Sequence, residues 1–269
     1  TLEPDIAVIT SLDADHLDVY NSHQEFINAF QQFIFQVKDN GYLIIEESIV
    51  NYFEKPKNVK LLTYSSSSTS DYYISEVSKK DNSFHFTYNS KERKEKIILP
   101  MLGAHNLSNA LAAISVSDLL NIKHIDISNS FSDFQGINRR FDIHVSNKKT
   151  VYVDDYAHHP EEIKSTISSV IESFPDRKLT VIFQPHLFSR TKDFAKEFAQ
   201  SLSQANELIL LDIYPAREKP ILGVDSKMLL DLCSNDSKII LKKDELLSHL
   251  NENENDLVVT LGAGNISDL

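Results

Sequence analysis

The densest group of chemically capable side chains is DDYAHHPEE at 154–162. An apolar VYV run leads into Asp154, Asp155, Tyr156, His158 and His159, and Pro160 then opens a helix. Carboxylates, imidazoles and a helix N-terminus thus gather on one loop, which suits binding of an anion or proton transfer. A paired-histidine loop is equally compatible with a metal site. FQPHLFSRT at 183–191 adds His186 and Arg190. The guanidinium fork suits a carboxylate or phosphate, and the imidazole suits a hydrogen bond or proton transfer. Ser189 reads as the N-cap of the helix that follows, since no acid and base stand in the order a serine triad needs.

Four further segments carry candidate residues. DADHLD at 13–18 places three aspartates and His16 together, a set able to hold magnesium through oxygen or zinc through the imidazole; the alternative is a solvated loop. GAHNLSNALAAI at 103–114 puts His105, Asn106 and Asn109 at a helix start. A spacing of three lets both asparagines face a purine edge, whereas Asn106 as a simple N-cap is the plainer alternative. GINRRFDI at 136–143 supplies Arg139 and Arg140, for clamping phosphates or for bridging domains. DIYPAREKPILGV at 212–224 is a long polar loop with Arg217 and Glu218, and TLGAGN at 260–265 has only a lone G-x-G, more often a tight turn than a phosphate cradle.

These loops need a scaffold, and the apolar periodicity predicts one. Residues 6–10 read as a buried strand that delivers DADHLD to its end. Ser22 and Glu25 have capping-box spacing for a helix that runs through Phe26, Phe30, Phe33, Ile34 and Val37 until Asn40-Gly41 stops it. Strands follow at 42–45 and 59–63, the SSSSTS run at 65–70 is a loop, and 71–99 reads as a three-stranded antiparallel meander. A helix at 105–120 and a second helical stretch precede Gly136, where a domain boundary is expected, giving domains 1–136 and 137–269. Beyond it come a hairpin, then helix 160–174, strand 179–183, helix 191–203, strand 208–213, helix 227–232, strand 239–241, helix 244–250 and strand 257–261. Such alternation requires right-handed crossovers and a mostly parallel sheet, whose ligands bind beyond the carboxyl ends of the strands. The predicted class is therefore α/β: a mixed sheet with an antiparallel meander, then a Rossmann-like domain.

Composition bounds the rest. With 269 residues, 41% apolar and 25% charged, the chain can bury two cores. A net charge of −12, without a basic run interleaved with aromatics, argues against a nucleic-acid partner. Cys233 is the only cysteine, which excludes an intrachain disulfide and a thiolate cage. No apolar stretch reaches the roughly 18–20 residues of a membrane span, and the first residues lack the pattern of a signal peptide, so a cytoplasmic location is expected. The abrupt β-type start suggests a sequence that begins inside a domain.

Taken in order, DADHLD, GAHNLSNALAA, FQGINRRF, DDYAHHPEE, FQPHLFSRT, DIYPAREKPILGV and TLGAGN resemble the central and C-terminal segments of the Mur ligases. The pairing of the double-histidine loop with QPHLFSRT and DIYPAREKPI is most similar to the member that adds L-alanine. The member that attaches a recycled peptide shares the double-histidine loop but not the PHxxSRT signature. The resemblance implies an ATP- and Mg2+-dependent ligase that joins L-alanine to UDP-N-acetylmuramate through an acyl phosphate, in peptidoglycan precursor synthesis. By resemblance His16 would ligate magnesium. His105, Asn106 and Asn109 would line the adenine and ribose site, with Arg139 and Asp155 holding the nucleotide from the C-terminal side. Tyr156, His158, His159, His186 and Arg190 would shape the sugar-acid and alanine site.

One departure stands out. The family's central domain carries a G-x-x-G-K-[ST] loop that cradles ATP phosphates. None of the six glycines here is followed by Lys and then Ser or Thr. The sequence thus reads as the later half of an ATPase domain plus a C-terminal domain, inactive by itself. Two other readings stay open: a metal-dependent hydrolase built from His16, the double histidine and His186, and a non-catalytic nucleotide-binding or peptide-binding module.

Overall fold

The computed structural model describes residues 2–12, 20, 22–67 and 69–268, except for the side chain of Asp268. DADHLD, and His16 with it, lies outside the described residues. The chain divides into two compact units, Thr1–Gln135 and Gly136–Leu269.

In the first unit β1 (Ile6–Ile9), β2 (Tyr42–Glu46) and β3 (Lys60–Ser65) pair in parallel, and β4 (Tyr72–Lys80) joins β3 in parallel. β5 (Ser83–Asn89) and β6 (Lys94–Leu99) then complete an antiparallel meander, so the sheet runs β1 to β6 in sequence order. Helix α1 (His23–Ile34) crosses from β1 to β2. Ser22 caps it by accepting the Glu25 amide at 3.2 Å, and its apolar stripe packs on Ala7, Ile9, Leu43 and Ile45. The helix ends earlier than its periodicity predicts. The Lys38 amide is donated to Pro4 and that of Tyr42 to Asp5, which pulls 36–41 off the helix to start β2 beside β1. A 3-10 turn at Glu47–Tyr52, capped by the Glu46 carboxylate, was not foreseen from the sequence. Helices α2 (Ala104–Leu119) and α3 (His124–Ser132) follow.

The second unit is a six-stranded sheet. β7 (Asp142–Ser146) forms the expected hairpin with β8 (Val151–Asp155), and β9 (Leu179–Phe183), β10 (Glu207–Leu210), β11 (Ser237–Ile240) and β12 (Leu257–Leu261) lie parallel to β8. The order β11-β10-β9-β12-β8-β7 makes β12 a central strand, and all five of its residues are buried. Helix α6 (Ala195–Leu202) packs against both α4 (Pro160–Ser173) and α7 (Ser226–Leu232), with its Phe198 on Phe183. Helix α8 (Lys243–Glu252) packs through Leu246 on Ile182, Ile209 and Val258. Because side chains alternate across a strand, Phe183 and Ile182 point to opposite faces, and the helices cover both.

The single helix predicted at 191–203 is two. Helix α5 (Phe188–Asp193) ends at Phe194, whose ring packs edge-on against His159 at 4.8 Å before α6 begins. Among the described residues no helix is long and apolar enough to cross a membrane.

Candidate functional site

The carboxyl ends of β8, β12, β9 and β10 lie along one edge of the second sheet. The chain passes from β8 over to β9, steps on to β10 and β11, then returns to fill the gap with β12. That reversal is the topological feature that opens a crevice in sheets of this kind.

Asp155 ends β8 and is almost fully buried. Its two oxygens accept the amides of Phe141 at 2.7 Å and Ala157 at 2.8 Å, which fixes the turn into the histidine loop. Burial raises its pKa above the usual carboxylate value, against the pull of those two amides and of Arg140. Asp154 points to the opposite face, where it accepts from Thr260 Oγ1 at 2.6 Å and Arg139 Nε at 3.0 Å. Arg139 also donates to the carbonyls of Gly262 and Gly264, so its guanidinium ties the start of the unit to the turn after β12. Its flat face lies 5.1 Å from the Tyr156 ring, and Arg140 lies 5.8 Å from the same ring.

The two histidines part company. His158 Nδ1 lies 3.0 Å from the Tyr156 carbonyl and 3.4 Å from the Glu162 carboxylate, and its ring meets Tyr156 at 5.2 Å and His186 at 6.0 Å. His159 is 7% exposed and packs on Phe194, and its Nε2 has no hydrogen-bond partner among the described residues. Glu162 accepts the amides of both histidines at 3.0 and 3.2 Å and so closes the first turn of α4.

His186 stacks on Tyr214 at 5.6 Å with the rings 15° apart, and its buried Nδ1 has no partner among the described residues. Its pKa is lowered by burial first, then by Arg190 and His158, with Glu218 opposing. The imidazole is thus neutral near neutral pH. Arg190 sits one turn along, in α5. Ser189 is not the N-cap expected from the sequence: Leu187 occupies that position, and the Ser189 hydroxyl donates to Glu218 at 2.5 Å while its amide donates to the same carboxylate at 3.0 Å.

The G-x-G turn is a close approach. Gly262 has φ +142°, and a Cβ there would stand 2.7 Å from the Gln184 carbonyl; a Cβ on Gly264 would overlap Gln184 Oε1 and stand 2.9 Å from the Tyr214 ring. Gln184, buried at the end of β9, donates to Asn265 Oδ1 at 3.1 Å. The crevice thus gathers Tyr156, His158, His186 and Arg190, while Asp155, Arg139 and His159 are engaged in holding its loops. The sequence offers Glu218 only as one residue of a long polar loop, with no role, and does not single out Gln184. Their only signal is that the loops after β9 and β10 are neighbours at one sheet edge.

In the first unit Gly103 is the N-cap of α2, so Asn106 lies inside the first turn. Asn106 is buried and donates to the Leu102 carbonyl at 2.7 Å, His105 is half-buried, and Asn109 is exposed. The asparagines therefore differ in what they can offer a base edge. No group of three or more His, Cys, Asp or Glu able to hold a metal ion occurs among the described residues.

The family model for the Mur ligase middle domain matches residues 1–117, and that for the Mur ligase glutamate ligase domain matches 139–264. The chain belongs to the Mur ligase family. Among curated Mur ligases, the UDP-N-acetylmuramate--L-alanine ligase of Parabacteroides distasonis is 40% identical over 269 residues, covering 100% of this chain and 58% of the relative. That of Cytophaga hutchinsonii is 40% identical over 267 residues, covering 98% and 57%. The chain therefore spans somewhat over half the length of the curated relatives it matches. Among solved Mur ligases, the UDP-N-acetylmuramate-alanine ligase of Thermotoga maritima superposes with a TM-score of 0.75 at 23% identity, over 99% of this chain and 58% of its own. The MurF ligase of Thermotoga maritima, solved in complex with ADP, superposes at 0.73 and 16% identity, over 98% and 59%. At those identities the superpositions establish the Mur ligase fold.

Proposed function

We propose that this chain is part of a cytoplasmic, ATP-dependent ligase that adds L-alanine to UDP-N-acetylmuramate in peptidoglycan precursor synthesis. Residues 1–136 would be the later part of its central ATP-binding domain and 137–269 its amino-acid-binding domain. The observation that carries this is the cluster at the carboxyl ends of β8, β9 and β12, where an imidazole, a guanidinium and a half-exposed tyrosine come together. The names of the full-chain relatives support the choice of substrates.

In this reading Arg190 binds a carboxylate with its fork, of alanine or of the sugar acid. His186, kept neutral by burial and flanking charge, takes the proton released as the alanine amine becomes a nucleophile. Tyr156, between Arg139 and Arg140, gives the crevice an aromatic wall, and His158 bounds it on the α4 side. His159 holds the start of α4. ATP would activate the acid, with Mg2+ neutralising phosphate charge. His105, Asn106 and Asn109 would serve its base and ribose, and Arg139 and Asp155 would support it by fixing their loops. The described residues offer neither a phosphate-loop sequence nor a metal cluster, so no step is assigned through either group.

The test is ADP release by the full-length protein supplied with ATP, Mg2+, UDP-N-acetylmuramate and L-alanine. Release that depends on both substrates is the expected result. Release indifferent to alanine overturns the reading, and faster release with a muropeptide than with alanine assigns the protein to the recycled-peptide ligases.

A further inference from the structure

We infer that Glu218 is a positioning residue, which from the loop after β10 fixes the first turn of α5 and with it the stations of His186 and Arg190. The ligase reading is needed only for what that pair would hold.

Helix starts leave backbone amides unsatisfied, and a side-chain oxygen at the N-cap normally takes one of them. At α5 the N-cap is Leu187, which has no such oxygen and sits at φ +71°, a conformation that a branched side chain rarely adopts. Something outside the helix must hold that turn. Glu218 does so with both oxygens, Oε2 on the Ser189 amide at 3.0 Å and Oε1 on the Ser189 hydroxyl at 2.5 Å. The bonds to Ser189 and to the Phe188 amide outweigh the effect of burial and draw its pKa below the ordinary value, as expected for a carboxylate that is ionised in its working state.

The same loop grips the chain just before the helix. The Leu187 amide donates to the Tyr214 carbonyl at 2.9 Å, and the Tyr214 amide donates to Pro185 at 2.8 Å. The Tyr214 ring covers one face of His186. Glu218 is then set by a turn, its amide bonded to Pro215 at 2.8 Å, next to Ala216 at φ +48°. Two left-handed residues in facing loops are thus locked by one carboxylate across 29 residues of sequence. The ionisable and charged groups around His186 are His158 from the loop after β8, Arg190 on α5, and Tyr214 and Glu218 from the loop after β10. Among the described residues Glu218 is the anion that opposes the lowering of its pKa.

The test follows the His186 ring by NMR in histidine-labelled chain, together with exchange of the Ser189 amide, in Glu218→Gln, Glu218→Ala and Ser189→Ala. The exposed Glu197→Gln on α6 is the control. In Glu218→Gln the Ser189 amide stays protected, because an amide oxygen still accepts, while the His186 midpoint moves to lower pH with the loss of the anion. In Glu218→Ala exchange at Ser189 quickens roughly tenfold and the ring contact of His186 with Tyr214 is lost. Ser189→Ala, which removes the hydroxyl bond and keeps the amide bond, gives a smaller change in protection of the backbone amide at position 189. The inference is overturned if Glu218→Gln titrates like the control, or if Glu218→Ala folds and leaves both Ser189 exchange and the His186 ring shifts unchanged. Should Glu218→Ala fail to fold, Glu218→Gln and Ser189→Ala decide. None of these readouts needs catalysis, so failure here leaves the ligase reading standing, and absence of alanine-dependent ADP release leaves the positioning role standing.

Discussion

Replacing Arg139 by Met should destabilise the second unit by about 3–5 kcal/mol, the range for removing one partner of a buried ion pair. The geometry argues for the full range. The side chains of Arg139 and Asp154 are only 17% and 3% exposed, so solvent screens the pair little and cannot rehydrate Asp154 once the guanidinium is gone. Asp154 would keep the Thr260 hydroxyl on one oxygen and lose the other bond, and the Gly262 and Gly264 carbonyls would lose a charged donor. Native-state amide exchange on β8 and β12 reports the second unit without interference from the first. At 1.36 kcal/mol per decade the most protected amides should exchange roughly 10²–10⁴ times faster. Adding Asp154→Asn should recover part of the loss, because the orphaned charge, more than the missing contact, is the larger cost. A change below about 1 kcal/mol, or no recovery in the double variant, would refute the structural role and return Arg139 to the ligand-facing set.

Gly262→Ala combines a left-handed φ with a 2.7 Å approach to the Gln184 carbonyl and should cost about 2–4 kcal/mol, whereas Gly223→Ala, at φ +78° with nothing within 4 Å, should cost about 1 kcal/mol. Calorimetry that gave equal drops in Tm would count against the close-approach argument. For pH, the folded pKa of His186 lies below its ordinary 6.5. Stability from holding it neutral is complete above 6.5 and is lost as pH falls through the depressed folded value. His186→Gln should therefore flatten the acid limb of a urea-midpoint against pH curve, and an unchanged slope there would contradict the burial account.

Much of the fold was legible because it rests on the apolar pattern. The strands 179–183 and 257–261 and the proline-initiated α4 appear with the bounds read from sequence or within a residue of them. The misses have a common cause. From Phe35 to Val37 the helical pattern continues, but the backbone bonds of Lys38 and Tyr42 to Pro4 and Asp5 reward leaving the helix. At 191–203 the pattern is helical throughout, yet Phe194 turns to His159, a residue 35 positions away in sequence but adjacent across the sheet edge. Tertiary contacts overrode local propensity in both places.

For the candidate site, the gathering of the motif loops at one sheet edge was legible, but not which of their residues hold the loops. His158 and His159 are identical in type and adjacent in sequence, yet one faces His186 and the other is sealed against Phe194, since consecutive residues entering a helix point in different directions. Asn106, Arg139 and Asp155 look like ligand-facing groups by type, and each is engaged by backbone of its own unit. This follows from where the motifs lie. A loop leaving a parallel strand carries unpaired amides and carbonyls that must be satisfied before it can hold one shape. In this unit Asp155, Glu162, Arg139 and Glu218 supply those bonds, which frees His186 and Tyr156 to line the crevice. A dense polar motif therefore marks the place of a site by necessity, while the number of its residues available to a ligand is what remains after the loops have been held.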